Sequence, residues 1–270
     1  MNMLEQIVNR KYQEVKKRRV HYSGSVLEKS NFFRRKPLSL KNAIMTEASS
    51  GVIAEFKRRS PSRGIINESA SAGKICTGYL AAGSSAVSVL TDQEFFGGSM
   101  DDLTEVRSMV NCPVLCKDFI IDEYQVIEAR ASGADAVLLI SDILPPDRID
   151  KLFRFIHSLG MEALIEVHNK KHLSSIPQDA GLIGINSRDL GTFDVSLSHS
   201  LELADLLPGN VVKVAESGIK TIEDYSNLKK AGFNGFLIGE LFMSSADPAE
   251  RCKSFIESAM RTLQKNSEGL

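Results

Sequence analysis

The sequence predicts an α/β chain that folds as a (β/α)8 barrel, and three observations favour this architecture. From Gly51 onward, a short apolar run is repeatedly followed by a polar loop and an amphipathic segment. Eight such runs fall within residues 51–270, and strands that alternate with helices are typical of a parallel sheet. Glycine closes several units, as in Ala82-Gly83 and Ala231-Gly232, which suits the left-handed cap of a helix. Together these features match a TIM barrel.

The apolar runs are the predicted strands, and the segments between them are the predicted helices. The strands are expected at 52–56, 86–90, 114–116, 136–140, 163–167, 182–185, 211–215 and 235–238. Helices are expected at 72–82, 103–110, 122–131, 146–159, 198–206, 222–230 and 248–263, with a short segment near 170–176. A doubly wound sheet would need a glycine-rich phosphate loop after the first strand, where the sequence has Lys57-Arg58-Arg59-Ser60-Pro61 instead.

Residues 1–50 differ from the rest and are predicted to form a helical extension packed on the barrel. Leu4, Ile7, Val8, Tyr12 and Val15 recur at helical spacing, which predicts the apolar face of a first helix. The basic run 16–19 is interpreted as the solvated end of that helix, where cations suit the helix dipole. A second short helix is expected at 40–48. The chain is therefore divided into an extension, 1–50, and a barrel, 51–270, within one domain.

The composition limits the class of protein and its partners. Of the 270 residues, 43% are hydrophobic and 25% are charged, which is typical of a globular protein. A net charge of −1 gives no general attraction to nucleic acid, and no apolar run reaches the roughly 18 residues of a membrane helix. The start, Met1-Asn2-Met3-Leu4-Glu5, does not read as a signal peptide. We therefore expect a cytoplasmic protein without nucleic-acid or membrane partners.

The four cysteines give little indication of a metal site. Cys112 and Cys116 are the only close pair, and they lack both the CxxC spacing and a neighbouring histidine. Cysteines of a cytosolic protein are reduced by default. We expect no bound metal.

Charged and polar residues stand at the ends of most predicted strands, and the run 113–119 with Lys117 is the central one. These residues are Glu55, Lys57, Lys117, Glu166, Asn186, Glu216 and Glu240. The carboxyl ends of barrel strands meet at one rim, where barrel enzymes have their active sites. Strand side chains two apart share a face, so we expect Glu55 beside Lys57 and Glu166 beside His168. A set of ion pairs that only stabilises the rim is the alternative.

Two glycine-containing turns predict a phosphate site. Ser217-Gly218 follows the seventh strand and Gly239-Glu240 follows the eighth, where barrels commonly bind phosphate. Glycine lets backbone N–H groups approach an anion closely. Glu240 would offer its N–H while its side chain points away. Taken singly, each glycine is equally consistent with an ordinary turn that binds no phosphate.

Two longer motifs and several shorter segments resemble one known family. The motifs are Glu55-Phe56-Lys57-x-x-Ser60-Pro61-Ser62 and Gly184-Ile185-Asn186-x-Arg188-Asp189-Leu190. The shorter segments lie at 53–54, 90–92, 95–99, 117–120, 164–168, 215–219 and 237–240. In this order along the barrel, and over about residues 40–263, they resemble the indole-3-glycerol phosphate synthase family.

The resemblance implies a reaction as well as a fold. Members of this family convert 1-(2-carboxyphenylamino)-1-deoxyribulose 5-phosphate to indole-3-glycerol phosphate, carbon dioxide and water, in tryptophan biosynthesis. They use no metal or organic cofactor, and their extra N-terminal helices lie over the barrel mouth. By this resemblance we expect no cofactor, a small phosphorylated substrate and a monomer. Association with other tryptophan-pathway enzymes is left open.

The resemblance also implies catalytic roles. Lys117 is similar in position to the family's general acid, and Glu166 to the carboxylate that takes the released proton and stabilises cationic intermediates. Lys57, paired with Glu55, resembles the lysine that assists dehydration. The division of proton transfers between the two lysines stays open, and His168 receives no role because variation is expected there.

Substrate-binding residues are implied in the same way. Those that would orient or contact the substrate are Asn186, Glu216, Ser60, Arg188, Ser217, Phe96 and Phe119. Phe96 and Phe119 would form walls around the aromatic ring. Gly218, Gly239 and the N–H of Glu240 would hold the phosphate.

Two other functions stay open at this point. A phosphoribosylanthranilate isomerase-like enzyme would share the barrel but would use a cysteine and an aspartate, whereas the first strand here ends with Glu55 and Lys57. A non-catalytic barrel that only binds phosphate ligands or a partner would not need Lys57, Lys117 and Glu166 together.

Overall fold

The chain folds into a closed barrel of eight parallel strands in a computed structural model that describes residues 3–189 and 194–268. Each strand pairs with the next along the chain, and β8 pairs with β1 through Val52 opposite Phe236. The strands are β1 Val52–Phe56, β2 Ala86–Leu90, β3 Val114–Lys117, β4 Ala136–Ile140, β5 Glu162–Val167, β6 Leu182–Asn186, β7 Val212–Glu216 and β8 Gly235–Ile238. The predicted (β/α)8 barrel is confirmed.

Helices fill the intervals between the strands. They are α1 Met3–His21, α2 Gly24–Leu27, α3 Leu40–Met45, α4 Ala72–Ala81, α5 Gln93–Phe96, α6 Met100–Met109, α7 Glu123–Ala131, α8 Pro146–Ser158, α9 Leu197–Ala204, α10 Ile222–Lys230, α11 Glu240–Met243 and α12 Pro248–Glu268, with a 3-10 helix at Lys170–Ser175. No helix among the described residues is long and apolar enough to cross a membrane. Leu190, the last residue of one motif, lies outside the described residues.

The strand ends differ from the predicted ones in a way that matters for the site. β3, β6 and β7 each continue to the polar residue that the apolar pattern left outside, namely Lys117, Asn186 and Glu216. Backbone pairing therefore holds these three residues, and their side chains start from a rigid part of the barrel. The apolar pattern ended one residue early because it measures hydrophobicity and not backbone pairing.

The core has two layers, because strand side chains alternate between the two faces of the sheet. Ile53, Leu115 and Leu164 point into the barrel and join one buried cluster. Val52 and Ala54 belong to the larger cluster between strands and helices. The inner cluster fills the barrel below its rim, so the polar residues at the strand ends lie above an apolar floor.

The N-terminal extension contacts both ends of the barrel. At the carboxyl end of the strands, Lys11 of α1 pairs with Asp92 and Asp118, which follow β2 and β3. At the opposite end, the Ser39 hydroxyl and the backbone N–H of Lys41 donate to Glu162 at the start of β5. Within the extension, α1 therefore lies at the barrel mouth, whereas α3 packs against the other end.

The predicted face of α1 is wrong at one position. Tyr12 was expected among the buried residues, but it is 59% exposed, and Lys11 is buried in its place. The buried face consists of Ile7, Lys11 and Val15, which follow the regular spacing of four residues. Lys11 can lie on the buried face because carboxylates of the barrel neutralise its charge. The apolar pattern did not include Lys11, since the local sequence does not show these partners.

The basic run is also only partly what was expected. Lys16 and Lys17 are exposed at the end of α1, as a solvated helix end requires. Arg18 instead pairs with Glu128 of α7 at 3.2 Å, and Arg19 pairs with Asp122. Half of the run therefore attaches α1 to the barrel.

Candidate active site

A cavity of about 330 Å³ opens at the carboxyl-terminal end of the strands. This volume lies at the lower end of the range for small-molecule sites. The structure brings to its wall every residue predicted for the site: Glu55, Lys57, Ser60, Phe96, Lys117, Phe119, Glu166, Asn186, Arg188, Glu216, Ser217, Gly218, Gly239 and Glu240. Residues that are as much as 185 positions apart therefore share one cavity.

Lys117 lies at the centre of the buried polar group. Its Nζ is 3.4 Å from Oε2 of Glu166 and 3.2 Å from Oε2 of Glu216. Burial alone would lower the pKa of Lys117, but Glu216, Glu166 and Glu55 outweigh it and raise the pKa above its ordinary value. The ammonium is therefore charged at neutral pH and directed at the cavity.

Glu166 and Glu216 compete for the same ammonium, and their protonation states differ. Burial raises the pKa of Glu166, but Lys117 and His168 overcome it and leave that pKa below its usual value. Burial and the charge of Glu166 together hold the pKa of Glu216 well above its usual value. Two negative carboxylates that contact the same ammonium repel each other, so it is unfavourable for both to be ionised. Of the two carboxylates, Glu166 is therefore the one that more readily carries the negative charge, and Glu216 the one that more readily holds a proton.

Two glycines, which have no side chain, leave room for two buried carboxylates. A Cβ atom at Gly184 would lie 2.1 Å from Oε1 of Glu216. A Cβ atom at Gly239 would lie 2.4 Å from Oε1 of Glu55. Any larger residue would displace these carboxylates, so both glycines shape the charged part of the cavity.

Lys57 and Glu55 form a second charged pair at the end of β1. The Nζ of Lys57 donates to Oε1 of Glu55 at 2.7 Å, as expected for residues two apart on one strand face. Asn186 adds an amide, whose Nδ2 donates to Oε1 of Glu166 at 3.2 Å. Its Oδ1 accepts from the backbone N–H of Arg188, which fixes the orientation of the amide.

The far end of the cavity has turns that expose backbone N–H groups. Ser217 and Gly218 both have positive φ, at 64° and 78°. Successive residues in this conformation form a concave set of N–H groups that suits an anion, and a serine rarely adopts it. Gly239 and Glu240 start α11 beside them. The Glu240 side chain does not point away from the cavity, as was expected, but lies at its edge, bonded to Arg63 at 2.7 Å and to Arg188 at 3.5 Å.

Two phenylalanines form an apolar part of the wall. The rings of Phe96 and Phe119 are 6.0 Å apart between centroids and tilted by 39°. Phe119 directly follows the β3 loop residue Asp118, and Phe96 ends α5. A planar aromatic group could contact both rings while its polar substituents reach Lys117.

A family model and close relatives in sequence identify the family. The model described as indole-3-glycerol phosphate synthase matches residues 4–255. The chain belongs to the indole-3-glycerol phosphate synthase family. The indole-3-glycerol phosphate synthase of Bacteroides thetaiotaomicron is 47% identical over 220 residues, which cover 82% of this chain and 84% of that protein. The enzyme of the same name from Carboxydothermus hydrogenoformans is 38% identical over 93% of this chain and 97% of its own length.

Solved structures support the fold independently. A tryptophan synthase subunit alpha from Legionella pneumophila has a TM-score of 0.60 at 13% identity, and covers 84% of this chain and 98% of its own. A thiamine phosphate pyrophosphorylase from Pyrococcus furiosus has a TM-score of 0.59 at 14% identity, and the match covers 83% of this chain and 98% of that one. Such distant likeness shows the barrel alone. The family predicted from the motifs is confirmed by the family model, and it places the chain among lyase-type enzymes of tryptophan biosynthesis.

Within this indole-3-glycerol phosphate synthase framework, sequence reasoning missed Lys11. Its side chain is 1% exposed, and its Nζ lies 2.8 Å from Asp92, 2.9 Å from Asp118 and 3.0 Å from Glu14. Asp118 directly follows Lys117, and its other oxygen accepts from Thr91. Lys11 therefore fixes the loop that directly follows Lys117. The helical spacing of Ile7, Lys11 and Val15 was the signal that could have found it.

Sequence reasoning also left His168 without a role. Its ring is buried between Asp142, at 2.7 Å from Nδ1, and Glu166, at 3.2 Å from Nε2. The alternation of strand faces placed His168 beside Glu166, but nothing in the sequence indicated Asp142, which lies in the loop after β4. Arg63, which bonds Glu240 across the cavity, was missed for the same reason.

Proposed function

We propose that this chain is a carboxy-lyase that closes the ring of 1-(2-carboxyphenylamino)-1-deoxyribulose 5-phosphate to give indole-3-glycerol phosphate, carbon dioxide and water. The observation that carries the proposal is the buried Lys117 ammonium, held between Glu166 and Glu216 on the cavity wall. A cation placed among carboxylates can supply a proton to a carbonyl and then stabilise the products of that transfer.

The cavity accounts for binding of the substrate in one orientation. The phosphate would lie against the backbone N–H groups of Gly218, Gly239 and Glu240, where positive φ at Ser217 exposes the turn. The anthranilate ring would lie between the aromatic walls at the other end. This leaves the carbonyl of the sugar near Lys117, since the two anchors fix both ends of the molecule. Ser60 and Arg188, which also line the cavity, would contact its polar groups.

Ring closure is the first step. The aryl carbon attacks the sugar carbonyl, and Lys117 donates its proton to the oxygen as the new carbon–carbon bond forms. The alkoxide that would otherwise develop is far more basic than an amine, so a lysine with a raised pKa still transfers its proton downhill. The positive charge that remains on the nitrogen-containing ring is stabilised by the carboxylate of Glu166.

Loss of carbon dioxide follows, because the electrons of the breaking carbon–carbon bond neutralise the ring cation. The hydroxyl at the new carbon then leaves as water with a proton from Lys57, which Glu55 holds at 2.7 Å. Glu166 takes the proton from the neighbouring carbon, which completes the aromatic indole. Two protons are donated and one is recovered, so each turnover takes up one proton from solvent, as loss of carbon dioxide from a carboxylate requires.

Indole fluorescence tests this proposal directly. The protein is incubated with the carboxyphenylamino-deoxyribulose phosphate, and we expect indole fluorescence to rise with time. A matched reaction with phosphoribosylanthranilate tests the isomerase alternative, which the cavity does not favour because no cysteine lines it among the described residues. Tight substrate binding without any fluorescence would instead indicate a non-catalytic barrel.

The proposal extends to the cofactor, the partners and the location of the protein. Side chains of this chain perform each step, so the proposal includes no cofactor. We propose a small phosphorylated substrate as the partner, a monomeric protein and a cytoplasmic location. Sedimentation of the purified protein would test the monomer, and a stable dimer would contradict it.

A further inference from the structure

The carboxylate of Glu166 is in contact with a histidine on the side away from Glu216. His168 follows Glu166 by two residues and extends from the same strand face, and its side chain is 5% exposed. Its Nδ1 lies 2.7 Å from Oδ2 of Asp142, and its Nε2 lies 3.2 Å from Oε1 of Glu166. The imidazole is therefore held between two carboxylates in the interior of the enzyme.

This arrangement requires one more proton than a neutral imidazole has. A neutral ring has one N–H and one lone pair, so it can donate to only one of the two carboxylates. The contact with Glu166 is not well aligned as a hydrogen bond, yet a lone pair that faced a charged oxygen at 3.2 Å would be repelled. Either the ring is an imidazolium, or one of the two carboxyl groups, Glu166 or Asp142, is protonated.

The groups around His168 favour the imidazolium. Burial lowers the pKa of His168, but Asp142 from the β4 loop and Glu166 from β5 outweigh it and raise the pKa above the usual value, against an opposing effect of Lys117. The other contacts are His172, whose Nδ1 is 3.4 Å from Asp142, and His199, which meets only the His168 backbone carbonyl. Two anions therefore face the ring against one nearby cation.

The two central carboxylates differ in this contact. Glu166 and Glu216 both touch the Lys117 ammonium, at 3.4 Å and 3.2 Å. Only Glu166 has a second cation, His168, and an amide donor, Asn186. The oxygens of Glu216 have no well-formed hydrogen bond. His168 thus favours negative charge on Glu166 over Glu216, whereas Lys117 contacts both carboxylates and does not distinguish them in this way.

We propose that His168, held by Asp142, is a positioning residue for the reaction: its imidazolium fixes Glu166 towards Lys117 and keeps Glu166, not Glu216, as the charged carboxylate. This inference rests on the proposed role of Glu166 as the base. Asp142 orients the ring through Nδ1, in the way that a buried carboxylate orients a histidine in other active sites.

Substitution of His168 by glutamine tests the inference through the pH dependence of kcat. The amide keeps a donor but removes the charge, so Glu166 becomes harder to ionise. We expect the acid limb of the pH profile to move up by about one pH unit, because Glu166 is harder to ionise. We also expect kcat at neutral pH to fall by about tenfold, because Glu166 is no longer held towards Lys117, with KM changed much less. His157→Gln, at an exposed position on α8, is the matched control and should leave the profile unchanged.

A folded His168→Gln enzyme with the wild-type acid limb and kcat would overturn the inference. Glu166→Gln separates this failure from that of the proposed function. If Glu166→Gln turns over like the wild type, the role of Glu166 itself is wrong. If Glu166→Gln is inactive while His168→Gln is normal, only the role of His168 is wrong.

Imidazole NMR of the wild-type enzyme covers the case in which His168→Gln does not fold. Nitrogen-labelled histidine distinguishes neutral from doubly protonated rings, and the signal of His168 is the one that moves most in Glu166→Gln. We expect this ring to carry protons on both nitrogens near neutral pH. A neutral ring there would overturn the inference without any substitution of His168.

Discussion

The barrel has a buried charged cluster at each end, and the two clusters differ in how their polar atoms are satisfied. At the amino-terminal end, Asp135 accepts from Arg107 at 2.9 Å, from Arg35 at 2.6 Å, and from the backbone N–H groups of Val114 and Leu38 at 2.8 Å and 2.6 Å. Both of its oxygens therefore have two donors. Cationic and neutral donors surround one anion, and among the described residues no second carboxylate is paired with these two arginines.

At the carboxyl-terminal end, the opposite holds. Glu166 and Glu216 share one ammonium at 3.2 to 3.4 Å, and both oxygens of Glu216 lack a well-formed hydrogen bond. This cluster borders the cavity, whereas Asp135 is completely buried. A cluster with satisfied donors stabilises the fold, and a cluster with competing charges is available for chemistry. Substitutions in the first cluster should therefore mainly change stability, and substitutions in the second should mainly change turnover.

Asp135→Asn should mainly reduce stability. It leaves the buried Arg107 without its anion, which typically costs about 3–5 kcal/mol of the free energy of unfolding. The fraction that remains folded should keep the wild-type kcat, because Asp135 lies far from the cavity. Thermal unfolding and a turnover assay measure the two effects. Asp150→Asn, which breaks an exposed pair with Arg154, is the control and should change neither quantity.

Lys117→Ala should mainly reduce turnover. Loss of the general acid should lower kcat by about 100-fold or more, whereas the protein should remain folded. Lys151→Ala is the matched control, because Lys151 is 70% exposed and lies on α8 outside the cavity. Turnover near the wild-type rate in Lys117→Ala would remove Lys117 from its proposed role.

Ser217→Asp should weaken substrate binding. The added carboxylate would stand beside the phosphate and repel it, so we expect KM to rise by about tenfold. Asparagine has nearly the same shape, and both residues tolerate the positive φ of 64° at this position. Steady-state kinetics of Ser217→Asn therefore isolates the effect of charge. Equal KM values for the two variants would place the phosphate elsewhere.

Glu216→Gln should stabilise the protein slightly, and only at higher pH. The pKa of Glu216 is raised above its ordinary 4.5 in the folded state, so the folded state binds more protons than the unfolded state as pH rises above 4.5. Stability contributed by this group is present at lower pH and is lost on going to alkaline pH. Glutamine avoids that loss. We therefore expect the free energy of unfolding of Glu216→Gln to exceed that of the wild type by about 0.5–2 kcal/mol at pH 8.

Thermal unfolding of Glu216→Gln and wild type at several pH values measures this difference. The two proteins should unfold at the same temperature near pH 4 and diverge as pH rises. A difference that does not depend on pH would show that Glu216 carries no unfavourable charge in the folded state.

Local pattern was sufficient for the barrel and for most of the site. Strands were predicted because apolar runs of the right length alternate with helical segments, and strand-end polar residues gather at one rim in any closed parallel barrel. The motif residues Lys117 and Glu166 could therefore be placed together before their distance was known. The short hairpin of Arg59–Ser60 with Gly64–Ile65 was missed, since two-residue strands leave no periodic pattern.

Contacts between distant segments could not be predicted in the same way. Lys11 is buried only because Asp92 and Asp118 come to it from two barrel loops. His168 has its place because Asp142 approaches from the preceding loop. Such partners depend on loop geometry, which apolar periodicity does not encode. The sequence therefore predicted which residues meet at the rim, but not which cations and anions pair there.

A crystal structure of Glu166→Gln with the substrate bound would show directly whether Lys117 meets the sugar carbonyl. We expect the sugar carbonyl oxygen about 3 Å from Nζ of Lys117, and the phosphate against the backbone N–H groups of Gly218 and Gly239. A substrate bound in the reverse orientation, or with its carbonyl beyond hydrogen-bond reach of Lys117, would contradict this expectation.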